Sequence, residues 1–143
     1  MLNSKISLGI KGEVMIKTIN PSKEEEVILK ENNNITSDSL EIITRCLSQQ
    51  DFNKSVDRIK MFGDFGELEA TVNYVNYNPA ENSITFRAVF PESQFSGMIT
   101  DLELICSALD KKLAVKQNLS IFKENTNLLL QVDWKIIITL NTI

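Results

Sequence analysis

From Leu128 to Leu140 every even position is apolar: Leu128, Leu130, Val132, Trp134, Ile136, Ile138 and Leu140. Alternation with a period of two puts successive side chains on opposite faces of a strand. One face therefore lies on a core, and Gln131, Asp133, Lys135 and Thr139 share the other. At about 3.3 Å per residue the segment would run roughly 43 Å, against five or six residues for an ordinary strand. The N-terminal segment repeats the pattern, with Ile6, Leu8, Ile10, Val14 and Ile16 on one parity and Ser7, Lys11, Glu13 and Lys17 on the other. Gly9 and Gly12 pack nothing in a strand interior, so they mark a bulge or a close backbone approach.

Between these two strands the punctuation predicts a mostly β chain. Asn20-Pro21-Ser22 forms a turn into a short strand over Glu26 to Lys30, which the asparagine run Asn32 to Asn34 ends. Thr36 then serves as an N-cap, Ile35 and Leu40 as a hydrophobic staple, and Leu40, Ile43 and Leu47 recur at helical spacing with Ile42 and Cys46 alongside. One helix over about residues 37–49 packs its apolar stripe on the sheet. After a strand from Val56 to Phe62 and a turn at Gly63-Asp64-Phe65-Gly66, Leu68 to Tyr74 and Ile84 to Phe90 read as antiparallel neighbours. Met98 to Cys106 and Leu113 to Gln117 flank a further turn, and Phe122 to Asn127 leads into the last strand. The expected fold is a single domain over residues 1–143, mainly β: an antiparallel β-sandwich of about eight strands and two sheets with one α-helix.

The residue inventory excludes much chemistry. With 143 residues and 43% of them hydrophobic, the chain can bury about two-thirds of its unfolded surface without staples. It has no histidine, so no Ser-His-Asp or Cys-His pair and no His-based zinc or iron site can form. Cys46 and Cys106 are too few for structural zinc, lie on apolar segments, and read as buried free thiols. A net charge of −4 with both signs scattered argues against nucleic acid. No run approaches the roughly 18 apolar residues of a membrane helix. The N-terminus lacks an apolar signal region, which predicts folding in a reducing cytoplasm.

Individual motifs reduce to ordinary structure. Asp64-Phe65-Gly66 spells a kinase metal triplet without its companion motifs, so it is a turn. The sequons beginning at Asn34, Asn53 and Asn118 are chance matches in a chain with no secretory signal. Asp101 and Glu103 share the spacing of outward strand charges rather than of a calcium loop. Trp134 belongs to the core rather than to a sugar-stacking platform. No catalytic, cofactor-binding or metal-ligating residue is expected, and an enzyme is not. Candidate contact residues are Tyr74, Tyr77 and Phe95, aromatics near loops. Val75, Val89, Leu129 and Ile137 are apolar on the nominally wet parity, which predicts a covering layer or neighbouring subunit.

Taken in order, the segments resemble the β-sandwich structural proteins of tailed-bacteriophage tails, collars and fibre attachments. The matching phrases are Gly12-Glu13-Val14-Met15-Ile16, then Asn33-Asn34-Ile35-Thr36 with the helix from Ser39 to Leu47, and Phe95-Ser96-Gly97-Met98-Ile99-Thr100-Asp101-Leu102-Glu103-Leu104. Lys112-Leu113-Ala114 and Val132-Asp133-Trp134-Lys135-Ile136 complete the set. Glu103 stands where such proteins usually carry a glycine. The resemblance implies a virion component without enzymatic activity, present as a ring or trimer at the head-tail junction, tail tip or fibre base. Its partners would be copies of itself and other virion proteins. The alternative from another class is a carbohydrate-binding sandwich that recognises a host glycan through Trp134 or the Tyr74 and Tyr77 region.

Overall fold

The computed structural model describes residues 6–48, 56–90, 96–123 and 127–142. In chain order the elements are β1 (Ile6–Ile19), β2 (Glu25–Ile35), α1 (Ser39–Ser48), β3 (Arg58–Gly63), β4 (Gly66–Thr71), β5 (Tyr74–Asn78) and β6 (Ser83–Phe90). There follow β7 (Gly97–Cys106), a 3-10 turn, β8 (Lys111–Lys116), β9 (Ile121–Lys123) and β10 (Leu129–Thr142). The fold is mainly antiparallel β with one helix, as the alternation predicts. The ten strands form one sheet in the order β4-β3-β7-β8-β2-β1-β10-β6-β5, with β9 on the β8 side of β7. They do not form two separate sheets: the sheet curls into a half-barrel.

Continuity depends on β2. Asn32 to Asn34 lie inside this strand instead of ending it. β2 pairs with β1 as far as Asn33 opposite Gly12, then swings to β8 through Asn34 opposite Val115 and Ile35 opposite Ala114. Gly12 permits the departure, since a Cβ there would fall 2.2 Å from Asn33 Oδ1. Gly9 lies in an unbroken ladder with β10, so neither glycine bulges that pairing. Thr36 does not cap the helix. Its hydroxyl donates to the carbonyls of Lys112 and Leu113, and its N–H donates to Leu113 O at 3.0 Å, fastening the end of β2 to β8.

The run expected as one strand from Leu68 to Tyr74 is broken at Val72-Asn73. Val72 N–H donates to Asp57 O at 2.8 Å while Asn73 N–H donates to Arg87 O at 2.9 Å, so the chain crosses from one rim of the sheet to the other. β4 therefore pairs with β3, not β6, and only β5 neighbours β6. Because β4 and β5 are consecutive in the chain yet occupy opposite ends of the sheet, the curl has to bring those ends together.

The core lies on the even parity of β1 and β10. Val14, Trp134 and Phe86 stand in one cross-strand row, and Ile16, Val132 and Ala88 in the next. Ile59, Met61, Leu102 and Leu104 from β3 and β7 join the same cluster. Trp134 is fully buried. Helix α1 begins at Ser39, two residues later than expected, Gln49 lying outside the described residues, and it covers less: Ile42 is buried, but Leu40 and Leu47 face solvent, so neither the staple nor the full stripe forms. A ten-residue helix resting on β8 seats a single turn, held by Lys111 Nζ at 2.9 Å from Glu41 and 3.6 Å from Asp38. Neither cysteine is in a disulfide; Cys106 is buried and Cys46 exposed, which corrects the expectation of two buried thiols.

Candidate functional site

β1 and β10 outrun their other neighbours. β2 leaves β1 at Gly12, and β6 leaves β10 at Ile137. Beyond those points Ile6–Ile10 and Ile138–Thr142, among the described residues, pair in the sheet with each other alone, in five facing pairs. At about 3.4 Å per residue this two-stranded arm extends roughly 17 Å. Such a ribbon is at best marginally stable in water without a hydrophobic face packed on something. Here only the far end of that face is exposed: Leu8 is 57% and Leu140 73% exposed, whereas Ile10, in the row nearer the body, packs against the core and its partner Ile138 is half-buried. At the arm's base Ile138 N–H donates to Asn82 O at 3.0 Å. Leu8, Ile138, Leu140, Tyr77, Asn82 and Ile84 line an open cleft of about 550 Å³.

The outer face of the same strands carries a polar groove of about 380 Å³. At its centre Arg87 Nε donates to Asp133 Oδ1 at 2.8 Å and Nη2 donates to Oδ2 at 3.2 Å. Gln131 Nε2 donates to the same carboxylate at 3.2 Å. Register explains the meeting: Arg87 is opposite Asp133 on one side and opposite Tyr74 on the other. The Tyr74 ring centre lies 5.0 Å from the guanidinium. Asp133 is only 6% exposed although it is on the solvent parity. Its hydrogen bonds hold the Arg87 pKa above the ordinary value, against the opposing effect of burial. Lys17 and Lys135 are paired with Glu25 and Glu81, so the groove is close to neutral rather than an anion trap.

The structure does not gather the predicted contact residues into one site. Tyr74 and Tyr77 are both exposed but on opposite faces of β5, the first on the groove and the second in the apolar cleft. Val89, Leu129 and Ile137 are half-buried on the outer face, opposite Gln131, Ile19 and Lys11 respectively. Val75 is not on that face. It sits opposite Phe86, in the row of Trp134, because the β5–β6 loop inverts the relation between number parity and face. Phe95 lies outside the described residues.

Sequence reasoning missed Leu8 and Leu140, whose alternation looks like that of core residues. It also missed the Arg87–Asp133–Gln131 cluster, which joins residues 46 apart. Among the described residues no group of acidic or cysteine side chains could hold a metal. Asp101 accepts from Thr100 at 2.8 Å, and Glu103 is paired with Lys112. Among the described residues no helix is long and apolar enough to cross a membrane. No family model, curated protein or solved structure matches the chain.

Proposed function

We propose that this protein is a non-enzymatic structural subunit of a tailed-bacteriophage virion, assembling with copies of itself and with other virion proteins at a collar, tail tip or fibre base. The observation that carries the reading is the arm: a two-stranded extension with Leu8 and Leu140 exposed and outer edges that no described strand pairs. Exposed edges and apolar faces are aggregation hazards that an assembling subunit removes by ordered docking. β4 and β5 end the described sheet, and the curl brings β4 close to β6, so the arm is the edge on which the reading rests. The virion assignment comes from the ordered phrases described above. It is tested by immuno-electron microscopy of purified particles from the source of this sequence, using antibody against the chain. Label at one fixed position on the particle is expected. Particles that neither bind antibody nor contain the chain by mass spectrometry would overturn the reading.

A glycan-binding role is favoured by one observation, the exposure of Tyr74 on the wall of the polar groove. Trp134 offers no platform, being fully buried. Binding on a saccharide array that is lost in Tyr74→Ala supports that role, and an array without hits removes it.

A further inference from the structure

We infer that the polar groove on the outer face of β10 binds an uncharged oligosaccharide laid across the strands, with one sugar ring stacked on Tyr74 and the Arg87 guanidinium donating to its hydroxyls. The inference rests on the glycan-binding reading above, which it deepens, and is independent of the virion reading. Register builds the groove. Lys30, Met15, Asp133, Arg87 and Tyr74 stand opposite one another in a single row that runs from β2 through β1, β10 and β6 to β5. Two residues along each strand, Glu13, Lys135, Thr85 and Asn76 make the neighbouring row. Both rows line the groove, whose volume of about 380 Å³ falls at the small end of the range for ligand sites. With neighbouring strands about 4.8 Å apart, a row across five of them spans roughly 19 Å, which suits a narrow, extended ligand rather than a compact one.

The chemistry of the lining selects the ligand. Along this row β1, β10 and β6 have ladder partners on both sides, so their backbone groups are committed and recognition falls to side chains. Met15 and Tyr74 are the apolar members of the lining, too few to seat an acyl chain or the apolar side chains of a peptide. Charge is compensated pair by pair: Lys17 with Glu25, Lys135 with Glu81 and Arg87 with Asp133. The two remaining lining charges, Lys30 and Glu13, are opposite in sign, so no net field draws in a phosphate or an acidic sugar. What is left is a set of hydrogen-bonding groups around one aromatic ring, which matches a ring that carries hydroxyls at its rim and an apolar C–H face. The two central groups are already oriented. Asp133 engages Nε and Nη2 of Arg87, and Nη1 takes part in neither bond, so its N–H donors are available to a ligand. Asp133 is itself buried and acts as a positioning residue. The Tyr74 ring is held against the guanidinium while remaining 49% exposed, so stacking a sugar on it orders little that is not ordered beforehand. Exposed Asn76 and half-buried Thr85 add an amide and a hydroxyl along the second row.

An array of neutral and acidic oligosaccharides probed with the full chain, followed by calorimetry with the best-bound saccharide, tests this. Binding to uncharged saccharides is expected, with an affinity that stays constant as salt is raised. Tyr74→Ala and Asn76→Ala should each weaken binding by roughly tenfold. Tyr77→Ala, on the opposite face of β5, should bind as the parent does. All three side chains are exposed, and thermal melts check that the variants remain folded. Hits confined to acidic saccharides, with affinity that falls as salt rises, overturn the uncharged ligand and leave the glycan-binding reading standing. Binding that survives both Tyr74→Ala and Asn76→Ala overturns the groove as the site, again leaving that reading standing. An array without hits overturns the reading and the inference together.

Discussion

The Arg87–Asp133 pair should respond asymmetrically to loss of either member. Asp133 is nearly enclosed, its side chain 7% exposed, whereas the Arg87 side chain is 36% exposed. Removing the guanidinium in Arg87→Met leaves a carboxylate in a low-dielectric site with only the Gln131 amide as donor. Breaking a buried pair in this way costs about 3–5 kcal/mol, and the surviving Gln131 bond puts the expected loss near the lower end, about 3 kcal/mol. Asp133→Asn keeps the shape and one acceptor, and the stranded guanidinium can turn to water, so the loss should be about 1–1.5 kcal/mol. For a chain of this length these figures correspond to falls in Tm of roughly 10 °C and 4 °C. Urea unfolding followed by fluorescence is a direct assay, because Trp134 is the sole tryptophan, fully buried, and adjacent in sequence to Asp133. The double variant should be less destabilised than the sum of the two. Equal losses, or a larger loss for Asp133→Asn, would refute the claim that enclosure of the carboxylate governs the pair.

Other expectations follow from single contacts. Gly97→Ala should cost about 1–3 kcal/mol in urea unfolding, since Gly97 has φ +139 and an added Cβ would lie 2.2 Å from Asp64 Oδ1, the acceptor for Met98 N–H. In the folded protein one thiol, Cys46, should react with Ellman's reagent, and both should react in urea; two fast thiols without urea would contradict the burial of Cys106. Lys111 holds the Glu41 carboxyl below its usual value of 4.5, chiefly through their hydrogen bond. The pair's contribution is therefore complete above about pH 4.5 and is lost as pH falls through the lowered folded value. The Tm difference between wild type and Lys111→Met should shrink from pH 7 to pH 3, and a constant difference would count against the pairing.

Strand identity was legible where alternation was long and unbroken. β1, β7 and β10 lie close to where the pattern predicts them, because a period of two names the buried face directly. The pattern does not say where a strand's neighbours stop. Leu140 alternates just as Trp134 does, yet one is exposed and the other fully buried, since the covering layer ends between them. Asp133 shows the converse: parity put it on the wet face, and its cross-strand neighbour Arg87 and its same-strand neighbour Gln131 then enclosed it. Asn32 to Asn34 look like a strand end by composition. They are held in β2 because pairing moves from β1 to β8 within that run. The break at Val72-Asn73 also left no local mark, as its two hydrogen bonds go to Asp57 and Arg87, partners on opposite rims.

The pairing of β1 with β10 sets the order in which this chain can fold. These strands are nearly the whole described sequence apart, from Ile6 opposite Thr142 to Ile19 opposite Leu129, yet they form the longest ladder among the described strands. The loop-closure entropy of that ladder has to be overcome before its contacts contribute, which places the protein among slow folders of high contact order. The hairpins β3–β4 and β5–β6 can form early from local pairing. Until β10 arrives, β1 and β6 each lack the neighbour that separates them, and the apolar rows meant for Trp134 stand open. Misfolding and aggregation should therefore originate from chains whose last strand has not yet been inserted, and a chaperone that shields β1 during that interval would raise yield more than any change to the surface of the finished fold.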